Sequence, residues 1–438
     1  MMLLALAALV VRVSADTPAV ARYQDDAHRL ITTALSDSSA YARIAELSDR
    51  FGSRISGSPA LEAAIDWILT KMKADGLANV HGEPVSVPHW VRGDESADLI
   101  TPRRVRLHML GLGGSVGTPP GGITAPVLVV TSFGDLQRHA AEAKGKIVVF
   151  DVAYPDTLTP FGAYSAVVPY RVTGAIAAAR VGAVASLIRS IASLSLQSPH
   201  TGVMIYDSTV QRIPHAALSV EDAELLHRLQ DRGEHPTLHL VMSARKLADA
   251  PSRNVVAEVV GREHPEEVVV LGGHIDSWDV GEGAMDDAGG AVASWEAVRL
   301  LQRLGLHPRR TVRVVLWTSE EFGGVGGRAY REAHRADEPR HVAAMESDNG
   351  VFRPRGVRFT GSDSARAIVR QIGALLKEIG ADSVPGFGLD VDASKYFRYH
   401  HSDADTPDKL DPAEVARCVA TLAVYAYVIA DLPERLPR

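Results

Sequence analysis

Val268-Val-Val-Leu-Gly-Gly-His-Ile-Asp-Ser277 is an apolar run that ends on a histidine and an acid. It lacks the alternation of a half-exposed strand, as expected for a strand covered on both faces in a largely parallel sheet. A second such run, Val312 to Trp317, is followed by Thr318-Ser-Glu-Glu321. Helical stretches come after each: Ala288 to Leu304, closing at Gly305 with Pro308 beyond, and Val325 to His334. Strands and helices alternating at this spacing predict an α/β domain, a mostly parallel sheet sandwiched by helices. Functional side chains in such domains gather just past the carboxyl ends of the strands.

The chemistry-bearing residues fall at those ends. They are Gly273-His-Ile-Asp-Ser277, Gly283-Ala-Met-Asp-Asp287, Trp317-Thr-Ser-Glu-Glu321, Met345-Glu-Ser-Asp348 and Tyr399-His-His-Ser-Asp-Ala-Asp-Thr406. Any one of these would be a weak signal. Together they bring imidazoles and carboxylates to buried strand ends, which is costly unless a cation compensates the charge. The only cysteine is Cys418, so a thiolate metal site and an intrachain disulfide are both excluded. A donor set of His, Asp and Glu suits zinc or another divalent first-row metal. One carboxylate bridging two metals would leave each metal two further protein ligands, with a hydroxide between them. The adjacent Glu320 and Glu321 point in different directions, so one can bind metal while the other serves as general base. Asp276 is placed to hydrogen-bond the free N–H of His274 and fix its tautomer.

The chain has 438 residues, 46% hydrophobic and 23% charged, an ordinary globular mix. That length predicts two or three domains. With 46 basic and 53 acidic side chains the net charge is −7, and no basic run offers a footprint for nucleic acid. Met1 to Val13 is apolar, and Val13 and Ala15 suit a signal-peptidase site, so residues 1–15 read as a signal peptide of an exported, secreted or periplasmic protein. The run is too short to span a bilayer, and no stable membrane insertion is expected. Residues 20 to 80 look helical, with Leu61, Ile65, Ile68, Leu69 and Met72 at helical spacing. Gly111 to Gly122 is rich in Gly and Pro and reads as a boundary. The expected organisation is a first catalytic part at 16–122, a β-rich insert at 123–250 and a second catalytic part with the metal site at 251–438.

At these motifs the sequence resembles the two-zinc aminopeptidase-like family of metallopeptidases, from about Phe51 to the C-terminus. Phe51-Gly-Ser-Arg-Ile-Ser-Gly-Ser58, Gly273-His-Ile-Asp-Ser-Trp-Asp279 and His400-His-Ser402 carry the resemblance with the strand-end motifs above. It implies two zinc ions per chain, with Asp286 bridging, His274 and Asp348 on one ion, and Glu321 and His401 on the other. His401 is taken over His400 because the family places its histidine four residues before an Asp-Thr pair, here Asp405-Thr406. Glu320 would be the general base. The resemblance further implies that the insert is a protease-associated domain, and that the protein is a secreted homodimer hydrolysing dipeptides with free termini. Between Gly380 and Val384 the chain is roughly a dozen residues shorter than the family's spacing, so a wall of the substrate pocket is expected to differ.

Other readings are weaker. Gly113-Gly-Ser-Val-Gly117 matches a nucleophile elbow, but Thr118-Pro-Pro-Gly-Gly122 forbids the helix that motif requires. His215, His307 and His334 read as structural or surface residues, and Tyr396 and Tyr399 chiefly as packing. An aminopeptidase of the same family and a one-zinc, glutaminyl-cyclase-like acyltransferase are the alternative activities. A non-catalytic binding protein on this fold would have lost ligands that are all present here.

Overall fold

The computed structural model describes residues 20–383 and 388–437. The expected signal peptide, 1–15, lies outside the described residues. Three helices lead: α1 (Gln24–Ser36), α2 (Ser39–Phe51) and α3 (Pro59–Ala74). Helix α3 shows why the periodicity was informative. Pro59 occupies its first turn, Ser58 Oγ accepts the Leu61 N–H at 3.2 Å, and Leu61, Ile65, Ile68 and Met72 are buried. Strand β1 (Ala78–Val87) follows.

The middle of the chain supplies β2 (Glu95–Thr101), β3 (Val105–Leu107), β4 (Met109–Gly111), β5 (Ile123–Val130), β6 (Ile147–Phe150), helix α4 (Pro160–Arg180), β7 (Ala185–Arg189), β8 (His215–Leu218), helix α5 (Val220–Asp231) and β9 (Thr237–Met242). These strands form one eight-stranded sheet in the order β3-β2-β9-β5-β6-β7-β8-β4. Its four strands β5 to β8 run parallel, and apolar side chains pack on both faces. The sheet begins at Glu95, upstream of the expected insert start. Gly111 to Gly122 joins β4 to β5 within it rather than separating two modules. The glycines there serve close approach: a Cβ on Gly117 would stand 2.6 Å from the Met242 carbonyl oxygen.

The remaining elements are β10 (Ala250–Val259), β11 (His264–His274), α6 (Gly289–Leu304), β12 (Arg310–Trp317), α7 (Val325–Ala333), β13 (His341–Glu346) and α8 (Pro412–Asp431). With β1 they make a five-stranded sheet ordered β1-β10-β12-β11-β13. The three strands that carry the site, β12, β11 and β13, are mutually parallel, whereas β1 and β10 join antiparallel. The sheet is thus mixed rather than mostly parallel. β1 is an edge strand exposed along much of its length, a position where antiparallel addition is tolerated. Helix α8 is long and apolar enough to cross a membrane by composition, but it is buried in the main core, with Cys418 on it donating to the Phe352 carbonyl at 3.1 Å.

His215 is structural, as expected. Its ring contacts the carbonyls of Ser186 and Arg171, both at 3.1 Å, and burial holds its pKa down at about 4 against those carbonyls. A depressed histidine stabilises the fold above the unfolded pKa, near 6.5, and that contribution disappears as pH falls towards 4. Urea midpoints should therefore fall between pH 7 and 4.5, with His215 contributing on the order of 2–3 kcal/mol. His215→Gln should show a shallower fall. An equal fall in both proteins would remove His215 as a source.

Candidate metal centre

The carboxyl ends of β11, β12 and β13 converge on one pocket. Strand β11 ends at His274 and β12 at Trp317, just before Glu320 and Glu321, while Asp348 follows β13. Asp286 comes from the loop entering α6, and His400 and His401 from the turn after Tyr396–Tyr399. Small residues allow the convergence. A Cβ on Gly290 would stand 1.8 Å from the Ser347 carbonyl oxygen, so only glycine lets the start of α6 seat against the end of β13.

Asp286 stands between two clusters. Its Oδ1 lies 3.4 Å from His274 Nε2, which is itself 3.4 Å from Asp348 Oδ1. Its Oδ2 lies 3.2 Å from His401 Nε2, which is 3.1 Å from Glu321 Oε2. His400 Nε2 approaches the same Oδ2 at 3.4 Å and stacks on His401 with ring centres 3.5 Å apart. Asp286 Oδ2 and Glu321 Oε1 are buried and make no hydrogen bond. Nitrogen and oxygen ligands tetrahedrally bound at about 2.0–2.1 Å would stand roughly 3.3 Å apart. The donor set, its spacing and its unbonded oxygens therefore fit divalent metal. The structure thus brings together His274, Asp286, Glu320, Glu321, Asp348 and His401.

The electrostatics agree. Burial alone would lower His274 and His401, yet surrounding carboxylates raise His274 well above its ordinary value and His401 to about 10. Burial and neighbouring acids push Glu320 up to about 8. Burial would raise Asp286, but the imidazoles hold it well below the usual range. Such a site carries more negative charge than its own cations neutralise.

Asp276 behaves differently from the sequence expectation. His274 Nδ1 meets the main-chain oxygen of Asp276 at 2.9 Å, and the carboxylate stands farther off, at 3.6 Å. The carboxylate instead accepts the backbone N–H groups of Glu320 at 3.0 Å and Glu321 at 3.2 Å. Asp276 thus lies beneath the Thr318–Glu321 loop, where its carboxylate holds the backbone of both glutamates. Asp276→Ala would orphan both N–H groups and is expected to lower kcat/KM by about 10–100-fold with metal-site residues intact. Steady-state kinetics at wild-type melting temperature checks this; unchanged turnover would leave Asp276 without that role.

Three further supports were not expected from sequence. Asp287 accepts the N–H of His274 and of Gly290, both at 3.0 Å, tying strand to helix. Asp405 accepts the N–H of Met285 at 2.7 Å and of Asp286 at 3.1 Å, fixing the loop that presents Asp286. In the eight-stranded unit, His200 Nδ1 contacts the His400 carbonyl at 2.6 Å and Thr201 N–H donates to the His401 carbonyl at 2.9 Å. Adjacency to Asp286 hinted at Asp287, and the Asp405-Thr406 pair at Asp405; nothing local signalled His200. Ser115, by contrast, is no nucleophile: it is buried, and its hydroxyl joins the Val116 carbonyl and the His215 N–H. Tyr396 lines the pocket beside His400, whereas Tyr399 is absent from the pocket wall.

The sequence matches the profile of peptidase family M28 over residues 254–426. It is 48% identical to carboxypeptidase Q of Bos taurus across 96% of this chain and 92% of that protein, and 49% identical to carboxypeptidase Q of Homo sapiens across 91% and 86%. The fold superposes on the crystal structure of a peptidase M28 precursor from Shewanella amazonensis with a TM-score of 0.90, at 33% identity over 95% of this chain and 98% of that one. The likeness to carboxypeptidase Q thus spans nearly the whole chain, and the protein is a metallopeptidase belonging to peptidase family M28.

Proposed function

We propose that this protein is a two-zinc exopeptidase hydrolysing dipeptides or short peptides, a carboxypeptidase Q-like dipeptidase. The observation that carries the reading is Asp286, which offers one oxygen to His274 and the other to His401. Asp286, His274 and Asp348 would hold one zinc ion, and Asp286, Glu321 and His401 the other. Two zinc ions there supply a water acidified towards neutral pH and a Lewis acid for the scissile carbonyl. Glu320, half-buried on the pocket wall, takes the proton from the attacking water and passes it to the leaving amine nitrogen. The pocket, about 270 Å³, suits a short substrate.

The eight-stranded unit, Glu95–Met242, serves in this reading as the protease-associated module. Its helix α4 and the 200–203 segment wall the pocket and brace the His400–His401 turn. Export on residues 1–15 and homodimer assembly belong to the same reading; light scattering giving a monomer mass would remove the latter. Metal counting by mass spectrometry, combined with a dipeptide and tripeptide panel with free or blocked termini, tests the core of it. Two zinc ions and dipeptide cleavage are expected. One ion per chain would reject the two-metal site, and cleavage of C-terminally blocked peptides would favour an aminopeptidase.

A further inference from the structure

Four arginines are buried among the described residues: Arg54, Arg92, Arg171 and Arg310. Three have partners. Arg54 donates to the carbonyls of Gly52, Ile275, Glu282 and Gly283. Arg92 pairs with Asp279 and Arg310 with Glu267, both at 2.5 Å. Arg171 has no hydrogen bond or ion pair from its side chain among the described residues, and its Nε is buried without a partner. A guanidinium is costly to bury unpaired, and no carboxylate of the described residues bonds this one, which leaves its fork open to a counter-charge from outside the chain.

Its surroundings say which one. Arg171 lines the metal pocket with Phe161 and Tyr164, one face of α4. Its guanidinium carbon sits 5.5 Å from the Tyr164 ring centre, and that ring meets His400 edge-on at 5.4 Å. His400 stacks on His401, so two aromatic rings, Tyr164 and His400, connect the fork to the proposed ligand His401, and the fork lines the same pocket as Asp286, Glu321 and Asp348. Gly202 leaves the fork its space: a Cβ there would lie 2.3 Å from a guanidinium nitrogen.

We propose that Arg171 receives the free α-carboxylate of the substrate, and so selects short peptides with an unblocked C-terminus. The proposal rests on the exopeptidase reading above. A planar fork binds a carboxylate through two parallel N–H bonds. The α-carboxylate is the one anion every short peptide carries whatever its side chains, which matches a fixed and otherwise apolar, aromatic pocket wall.

The test uses the metal-loaded full chain with alanyl-alanine, its C-terminal amide, and the α-amide of alanyl-glutamate. The wild type should prefer the free acid. Arg171→Met should lower kcat/KM for the free acid by about 10²-fold, mainly through KM, and leave the alanyl-alanine amide nearly unchanged. Arg171→Lys keeps the charge without the fork and should fall between. Equal losses on acid and amide, or none, would overturn the proposal; so would a wild type indifferent to amidation, should Arg171→Met fail to fold. Rescue of the amide by the glutamate side chain would overturn the α-carboxylate assignment. If the wild type cleaves none of the three, the exopeptidase reading fails by itself, and binding then decides the site. Stabilisation of the wild type against heat by alanine but not alaninamide, lost in Arg171→Met, upholds the carboxylate site, and no difference overturns it.

Discussion

Glu320→Gln is expected to keep the fold and the bound metal while lowering kcat by roughly 10²–10⁴-fold, the usual share of a general base. The substitution is nearly isosteric, and the backbone N–H of residue 320 would still donate to Asp276 at its present 3.0 Å. What changes is the one property the reaction needs, since an amide cannot take the proton from the attacking water. The neighbouring Glu321 cannot substitute. One of its oxygens lies 3.1 Å from His401 Nε2 and the other is buried without a partner, so its carboxylate is committed to the metal cluster. Metal content, melting temperature and kcat measured on the same preparation separate this outcome from misfolding. Turnover equal to wild type would remove Glu320 as the base.

The strand-end motifs were legible because burial on both faces leaves an unbroken apolar run, and Val268 to Leu271 and Val312 to Leu316 follow that rule apart from the half-buried Arg313. The ligand-type residues were legible for a related reason: charges at buried strand ends need a cation, and five separate segments supply them. Supports were harder to read. Asp276 and its partners Glu320 and Glu321 are 44 and 45 residues apart, and the contact depends on how the loop after β12 folds back. His200 and His400 are separated by 200 residues, and only the assembled sheets bring them together. The start of the eight-stranded sheet at Glu95 was not legible in composition, because a Gly- and Pro-rich stretch marks a turn whether or not a module ends there. The short connection, Ala381 to Ser383, bridges to Gly356 through Ser383, while 384–387, which follow it, lie outside the described residues, so a changed pocket wall there stays an expectation.

Asp286→Ala should abolish activity and lose both metal ions together, because Asp286 sets one carboxylate oxygen 3.4 Å from His274 Nε2 and the other 3.2 Å from His401 Nε2. Replacing a residue that only supports a ligand, such as Asp405, is expected to weaken metal binding about 10–100-fold. Removing the shared ligand itself should cost more than that at each ion. The two halves of the site make the test sharp. Asp348→Ala leaves His401, Glu321 and Asp286 together, and Glu321→Ala leaves His274, Asp348 and Asp286 together, so each should retain one ion per chain. Zinc should raise the melting temperature of the metal-free wild type, since a ligand that binds only the folded state stabilises it by mass action. The same addition should do nothing for Asp286→Ala at concentrations that saturate the single-ion variants. Retention of one ion by Asp286→Ala would make Asp286 an ordinary ligand of one metal and reject the bridging arrangement. Retention of both would reject its role as a ligand, however close its oxygens stand to the two imidazoles.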